Sequence, residues 1–82
     1  MSAETCEAVR QYILTHIIRN KRVKLGFEDK IITGGLMDSF ALTEVQLFIE
    51  ERYGFRPPDI DMTVENMNTV AQIAAYIDAH RK

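Results

Sequence analysis

Residues 34–54 read GGLMDSFALTEVQLFIEERYG, and this stretch carries the clearest helical signal in the chain. Its apolar residues recur at i, i+3, i+7 and i+11, which forms one stripe along an α-helix; they are Leu42, Val45, Ile49 and Tyr53. The stripe predicts a helix over 39–53, opened at Asp38 and ended by Gly54. Ser39 is then the first or second helical residue, and it lies four residues after the flexible glycine pair Gly34-Gly35. Its hydroxyl is therefore expected to be exposed.

The chain before this helix divides into an amphipathic helix and a long loop. Apolar residues at helical spacing predict the first helix over 3–20, with Ser2 as its N-cap and His16 on its buried side. Residues 21–37 show no clean period and are predicted to form a loop. Scattered apolar side chains are expected to anchor that loop on the core: Leu25, Phe27, Ile31, Ile32 and Leu36. A loop of this length in a small domain is more often functional than idle.

The C-terminal third is predicted to hold one short helix and one long helix. Pro57-Pro58 prevents the central helix from restarting, and Thr63 is placed to cap a single turn over 63–67. Asn68 is placed to cap the last helix, over 69–80. That helix carries an apolar stripe at i, i+3, i+4 and i+7, formed by Val70, Ile73, Ala74 and Ile77.

Length and composition are those of one small globular domain. The chain has 82 residues, of which 46% are hydrophobic and 27% charged. No segment alternates like a strand, so the sequence predicts an all-α fold, a small bundle of three main helices and one short helix in a single domain over 1–82. There is no signal-peptide pattern and no apolar run long enough to span a membrane. Cys6 is the only cysteine and cannot form an internal disulfide, which favours a cytoplasmic location.

The charge is unevenly distributed along the chain. Residues 1–30 carry a net charge of +2, whereas residues 31–82 carry −4. The half that contains Ser39 is therefore acidic, and a partner that meets it there is expected to be basic.

The motifs of calcium-binding loops and of other metal sites are incomplete in this sequence. The acids of 59–65 suggest a calcium loop, but Val64 and Val70 stand where that loop requires glycine and glutamate. His16 and His80 have no cysteine or histidine partners at metal-ligand spacing, so no metal site is expected. The basic segment 19–24 and the exposed face of the central helix leave one alternative function open, a non-covalent helical module that interacts with protein or DNA.

The order of the motifs resembles that of a known family. The step Gly35-Leu36-Met37-Asp38-Ser39-Phe40 opens a helix that ends in Glu50-Glu51-Arg52-Tyr53-Gly54. Pro57-Pro58 follows, and then Thr69-Val70-Ala71-Gln72-Ile73-Ala74-Ala75-Tyr76-Ile77. This series resembles the acyl carrier proteins and the related peptidyl and aminoacyl carriers over residues 31–80.

The resemblance implies a specific covalent modification and a set of partners. Ser39 would receive 4′-phosphopantetheine from coenzyme A, with Asp38 as the acid before it. A separate phosphopantetheinyl transferase would make the attachment with a divalent metal, and an acyl- or aminoacyl-loading ligase would charge the thiol of the arm. A downstream acyltransferase or synthase would then take the thioester in lipid, polyketide or specialised acyl and aminoacyl metabolism. The chain itself would be a stand-alone monomer, without catalytic residues and without binding to nucleic acid.

The resemblance also implies where the partners bind. In that family the helix after the serine is the recognised face, which here implicates Phe40, Glu44, Leu47, Glu50 and Glu51. Fatty-acid carriers usually have leucine at the position of Phe40, often an acid at Ala41 and often an apolar residue at Thr43. Phenylalanine after the serine resembles D-alanyl and some stand-alone aminoacyl carriers. The resemblance therefore leaves both acyl and aminoacyl cargo open.

Overall fold

All regular structure in the computed structural model, which describes residues 3–20 and 22–81, is helical. Within those ranges there is no strand, in agreement with the predicted all-α fold. Three of the four α-helices are long and one is a single turn, as predicted. In chain order the elements are α1 (Ala3–Tyr12), a π-helix (Ile13–Ile18), α2 (Ala41–Tyr53), a 3₁₀ turn (Asp59–Asp61), α3 (Val64–Met67) and α4 (Val70–His80).

The first predicted helix is divided into two kinds of helix. Its α-helical part ends at Tyr12, and the π-helix that follows ends at Ile18, two residues before the predicted end. Arg19 then takes a left-handed conformation, with φ of 59°, and its N–H donates to the carbonyl of Leu14. Hydrogen bonds from i to i+5 turn later side chains away from a 3.6-residue pattern. His16 is consequently exposed, so its prediction on the buried face is wrong.

The core is formed by the inward stripes of α1, α2 and α4. All four residues of the predicted α4 stripe have no exposed surface, which confirms that prediction. Val9 and Ile13 from the first helical segment pack into the same cluster. α1 packs mainly on α4, and Thr5 Oγ1 donates to Asp78 Oδ1 across this contact at 2.7 Å. None of the helices in the described ranges is long and apolar enough to cross a membrane.

Helix α2 has the predicted apolar stripe and, beside it, a buried polar residue. Leu42, Val45 and Ile49 are buried, which confirms the stripe, and Tyr53 is half-buried at its end. Gln46 is only 3% exposed although its type predicts a surface position. The predicted end of α2 at Gly54 is confirmed. Gly54 has φ of 78°, and its N–H donates to Glu50 O.

The long loop is fixed onto the start of α4 by a residue far away in sequence. Ile31 is fully buried, and its N–H donates to Asn68 O at 2.7 Å. Asn68 Oδ1 accepts from the N–H groups of Ile32 and Thr33 at 3.0 and 3.1 Å. Leu25 is also buried, and the other predicted loop anchors are half-buried against the core. The anchoring predicted for this loop is therefore confirmed.

Helix caps in the C-terminal third follow the prediction at one site and depart from it at another. Thr63 caps α3 by accepting from Asn66 N, as expected. Asn68 does not cap α4, because its side chain is used by the loop; Thr69 is the N-cap and forms a capping box with Gln72. The predicted N-cap of α1, Ser2, lies outside the described residues.

Candidate functional site

Ser39 lies in the turn that leads into α2, two residues before the helix begins at Ala41. The predicted helix start at Ser39 is therefore early, although the Ser39 carbonyl already accepts from Leu42 N at 3.2 Å. Its side chain is exposed. Within the described ranges its hydroxyl has no hydrogen-bond partner, so the oxygen is open to approach from solvent.

Asp38 closes the turn that carries Ser39. Its carboxylate oxygen Oδ1 accepts from Ala41 N at 3.2 Å, and its carbonyl accepts from the same N–H at 3.2 Å. The Asp38 side chain thus adds a second acceptor for the first N–H of α2, from which its carbonyl also accepts. Asp38 therefore fixes the geometry in which the neighbouring hydroxyl is displayed.

Replacing Asp38 by alanine is expected to lower the free energy of unfolding by about 0.5 kcal/mol, because the Ala41 N–H loses one of its two acceptors. Asp38→Asn is the matched control, since its amide oxygen keeps an acceptor at the same place. Urea unfolding of both variants measures the difference. Equal losses in the two variants would show that the charge of Asp38, and not its capping bond, stabilises the turn.

The backbone before Asp38 forms a tight turn that requires glycine at two positions. Gly34 has no room for a side chain, and Gly35 has a backbone conformation that favours glycine. Leu36 N and Met37 N both donate to Ile31 O, at 2.9 and 3.0 Å. A Cβ atom on Gly34 would collide with the carbonyl oxygen of Lys30. Gly35 has φ of 84°, a conformation that other residues rarely adopt. The segment that presents Ser39 is therefore attached to the core through Ile31 and Met37, which are both buried.

The five residues implicated in docking are all exposed, on or directly before α2: Phe40, Glu44, Leu47, Glu50 and Glu51. Positions i, i+4, i+7 and i+11 share one face of a helix, which aligns four of them with the turn that carries Ser39. Phe40 is 84% exposed and Leu47 42% exposed, both unusual for large apolar side chains. Glu50 lies beside this row and pairs with Arg56 at 3.6 Å.

A shallow cleft of about 330 Å³ adjoins the turn of Ser39. Its lining combines apolar side chains with two carboxylates: Ile17, Leu36, Met37, Phe40, Ala41, Asp38 and Glu44. Neither carboxylate has an ion-pair partner within the residues that the structure describes. The surface beside Ser39 therefore offers apolar contact with an acidic rim.

The carboxylates on the exposed face of α2 lie close enough to Tyr12, the last residue of α1, to affect its phenol. Tyr12 Oη donates to the backbone carbonyl of Glu44 at 3.0 Å, and its ring stacks on Phe48 with centroids 4.4 Å apart. Burial raises the pKa of the Tyr12 phenol, and the nearby carboxylates of Glu44 and Glu51 raise it further. Tyr12 therefore remains a neutral donor that joins α1 to the back of α2.

The candidate metal ligands and the lone cysteine do not form a site. Residues 3–20 and 22–81 contain no group of three or more His, Cys, Asp or Glu side chains that could hold a metal ion. Cys6 is 2% exposed, and burial followed by the charge of Asp78 raises the pKa of its thiol. Arg19, Arg22 and Lys24 are exposed in the basic segment.

Comparison with known proteins leaves the function to be inferred from the site itself. No family model matches the chain, and no curated protein or solved structure matches it. The site consists of one exposed hydroxyl at the entrance to a helix whose following turns expose apolar and acidic side chains. Such a surface is suited to modification and docking by another protein.

Proposed function

We propose that this chain is a stand-alone carrier protein with an acyl-carrier-like bundle, which carries acyl or aminoacyl groups as thioesters on a 4′-phosphopantetheine arm. The arm is attached to Ser39. One observation carries the proposal: Ser39 is exposed, with its hydroxyl free of partners in the described structure, at the position that the motif series assigns to the modified serine. The proposed setting is the cytoplasm, and the protein is not itself an enzyme.

The attachment chemistry requires little from this chain beyond access. Ser39 Oγ forms a bond to the phosphorus of coenzyme A that bears the pantetheine. The phosphoanhydride bond breaks, adenosine 3′,5′-bisphosphate leaves, and the serine proton passes to a base of the transferase. A serine hydroxyl without a positioned base is a poor nucleophile. No base is bonded to Ser39 in the described residues, which supports activation by the transferase and not by this chain.

The start of α2 is suited to the phosphodiester that attachment creates. The backbone N–H groups of Ser39 and Phe40 have no acceptor among the described residues. Unpaired N–H groups and the helix dipole together favour an anion at such a position. When bound, the arm supplies a thiol with a pKa of roughly 8.5, so its deprotonation for thioester chemistry is assigned to the partner enzymes.

The direct test is attachment in vitro. The chain is incubated with coenzyme A, Mg²⁺ and a phosphopantetheinyl transferase of broad specificity, and its intact mass is then measured. The expected product carries one phosphopantetheine group. Absence of any mass gain, with a known carrier modified in the same mixture, would contradict the proposal.

Charge reversal of the docking face is expected to slow this attachment. Glu44→Lys combined with Glu51→Lys places positive charge on the face that a basic partner approaches, and kcat/KM should fall about tenfold or more at low salt. The matched control reverses two exposed acids elsewhere, Glu4→Lys with Glu28→Lys, and makes the same change in net charge. The difference between the two pairs should shrink at high salt. Equal kinetics at low salt would refute a recognition role for these acids.

A further inference from the structure

We propose that the cleft between α1 and residues 22–26 is a second binding site, which takes a small ligand that carries a phosphate group. The cleft has a volume of about 470 Å³, a size typical of small-molecule sites. Three cations line it together with apolar side chains, and no carboxylate is among its described lining residues: Arg10, Arg22, Lys24, Leu14, Val23 and Leu25. None of these residues lines the cleft beside Ser39, so the inference goes beyond the proposed carrier function and does not depend on it.

Two of the three cations have no carboxylate partner. Within residues 3–20 and 22–81 the ion pairs do not include Arg22 or Lys24, so no carboxylate offsets their charges. Both side chains are exposed and can reach a ligand. The cleft beside Ser39 differs, because two carboxylates line it. Positive charge concentrated on one concave surface favours an anionic ligand.

The third cation is held in place, but its hydrogen bonds are incomplete. Arg10 Nη2 pairs with Glu7 Oε1 at 2.7 Å, and the guanidinium carbon lies 5.5 Å from the centroid of the Phe27 ring. Arg10 Nε is buried and has no hydrogen-bond partner in the described part of the chain. A buried donor of this kind requires an explanation, and an ion or a water bound nearby is one. An anion in the cleft would offset the guanidinium charge that a single partly exposed carboxylate balances only in part.

The loop side of the cleft is fixed at both ends by hydrogen bonds to its backbone. Arg22 N donates to Asn20 Oδ1 at 3.0 Å. At the other end Gly26 N donates to Asp29 Oδ2 at 2.8 Å, which engages that carboxylate with the loop itself. A ligand therefore has to order side chains at this site but not the backbone, which lowers the cost of binding.

A phosphate group fits this set of cations better than a carboxylate does. A phosphate monoester carries a charge of about −1.5 to −2 at neutral pH and three acceptor oxygens. Its charge matches the two unpaired cations, Arg22 and Lys24, and its oxygens suit the planar fork of a guanidinium. Leu14, Val23 and Leu25 offer apolar contact to the organic part of a ligand. A phosphate ester is therefore expected to bind more tightly than inorganic phosphate.

The shape of the site favours a compact ligand over a nucleic acid. A concave site of this volume encloses a small molecule, whereas a duplex is bound through phosphates spread along its length. Phosphate esters occur both as soluble molecules and as the headgroups of anionic lipids. The three cations would contact the same chemical group in either source.

The test is a titration of the isotope-labelled full chain with phenyl phosphate, followed through the backbone amide signals in NMR spectra at constant ionic strength. Saturable shifts are expected for residues 22–26 and for Arg10, with tighter binding of phenyl phosphate than of inorganic phosphate. Ser39→Ala should bind phenyl phosphate as the wild type does. Absence of saturable shifts in these residues would overturn the proposal.

Removal of the two unpaired cations is expected to weaken binding strongly. Arg22→Gln combined with Lys24→Gln should raise the dissociation constant for phenyl phosphate about tenfold or more, because each cation donates a charge-assisted hydrogen bond. The matched control, Lys30→Gln with Arg52→Gln, removes two exposed cations outside the cleft and makes the same change in net charge. It should bind nearly as the wild type does. Equal weakening in the two pairs would show that overall charge and not the cleft attracts phosphate, which overturns the site.

Arg10→Lys tests the guanidinium as the third contact. Lysine keeps the positive charge but lacks the Nε–H and the planar fork, so binding is expected to weaken about tenfold. Urea unfolding checks that the variant is folded. An affinity equal to that of the wild type would contradict a site of three cations. If Arg10→Lys does not fold, the exposed pair Arg22 and Lys24 decides alone.

Vesicles distinguish the two sources of the phosphate group. Cosedimentation with vesicles that contain phosphatidic acid, lost when Arg22 and Lys24 are both replaced, assigns the ligand to a lipid headgroup; absence of cosedimentation assigns it to a soluble ester. Either result supports the site when phenyl phosphate binds saturably. Binding of vesicles or of duplex DNA without saturable binding of phenyl phosphate overturns it. Attachment of phosphopantetheine to Ser39 is measured separately, so failure of one proposal leaves the other intact.

Discussion

Ser39→Ala is expected to abolish phosphopantetheine attachment completely, because it removes the oxygen that bonds to phosphorus. The variant should remain folded, since the Ser39 side chain is exposed and its hydroxyl has no partner in the described ranges. We expect its free energy of unfolding to stay within about 0.5 kcal/mol of the wild type. Thr43→Ala is the matched control, an exposed hydroxyl one helical turn further on that should be dispensable. Intact mass after the transferase reaction measures both variants.

The same variant distinguishes the proposed carrier from the alternative function. A mass gain that survives in Ser39→Ala would move the modification to another residue and contradict the site. A non-covalent protein- or DNA-interaction module would keep its cellular function in this variant. Salt-sensitive DNA binding that depends on the exposed Arg19, Arg22 and Lys24 would favour that alternative.

Ile31→Ala is expected to have the largest effect on stability, a loss of about 2–5 kcal/mol in the free energy of unfolding. Ile31 has no exposed surface, and its backbone connects the long loop both to Asn68 and to the turn before Ser39. The cavity left by the truncation lies where these two attachments meet. Because domains are stable by only about 5–15 kcal/mol, this loss is a large fraction of the total stability.

Ile32→Ala is the matched control for this experiment. Ile32 is the next residue in the chain, and its truncation to alanine removes the same atoms. Its side chain, however, is only partly buried. Its loss of stability should therefore be clearly smaller than that of Ile31→Ala. Urea unfolding followed by circular dichroism measures both. Equal losses would show that the loop is not anchored through the Ile31 side chain.

The helices were predictable where apolar periodicity specifies a buried face. The stripes of α2 and α4 repeat at helical spacing, and their central residues are buried as expected. Thr63 was recognisable as a cap because its role depends only on the three residues that follow it. Local patterns of this kind require no knowledge of the rest of the chain.

The departures occur where distant contacts decide the structure. Asn68 is a good N-cap residue by type, but its side chain bonds to the backbone of residues 32 and 33, and Thr69 caps α4 instead. The π-helix changes which side chains face inward, which places His16 in solvent. Hydrogen bonds from i to i+5 leave no separate signal in a 3.6-residue pattern.

The candidate site likewise has one part that the sequence predicts and one part that depends on distant contacts. The exposure of Ser39 and of the acids on α2 follows from the helical spacing and was expected. The attachment of residues 56–61 to α2 depends on a buried glutamine, and glutamine is usually a surface residue.

The most direct measurement is the mass of this protein purified from its own cells, with the modified residue located by tandem mass spectrometry. The expected result is a phosphopantetheine group on Ser39, free or bearing an acyl or aminoacyl thioester. An unmodified Ser39 in cells whose transferase modifies other carriers would contradict it.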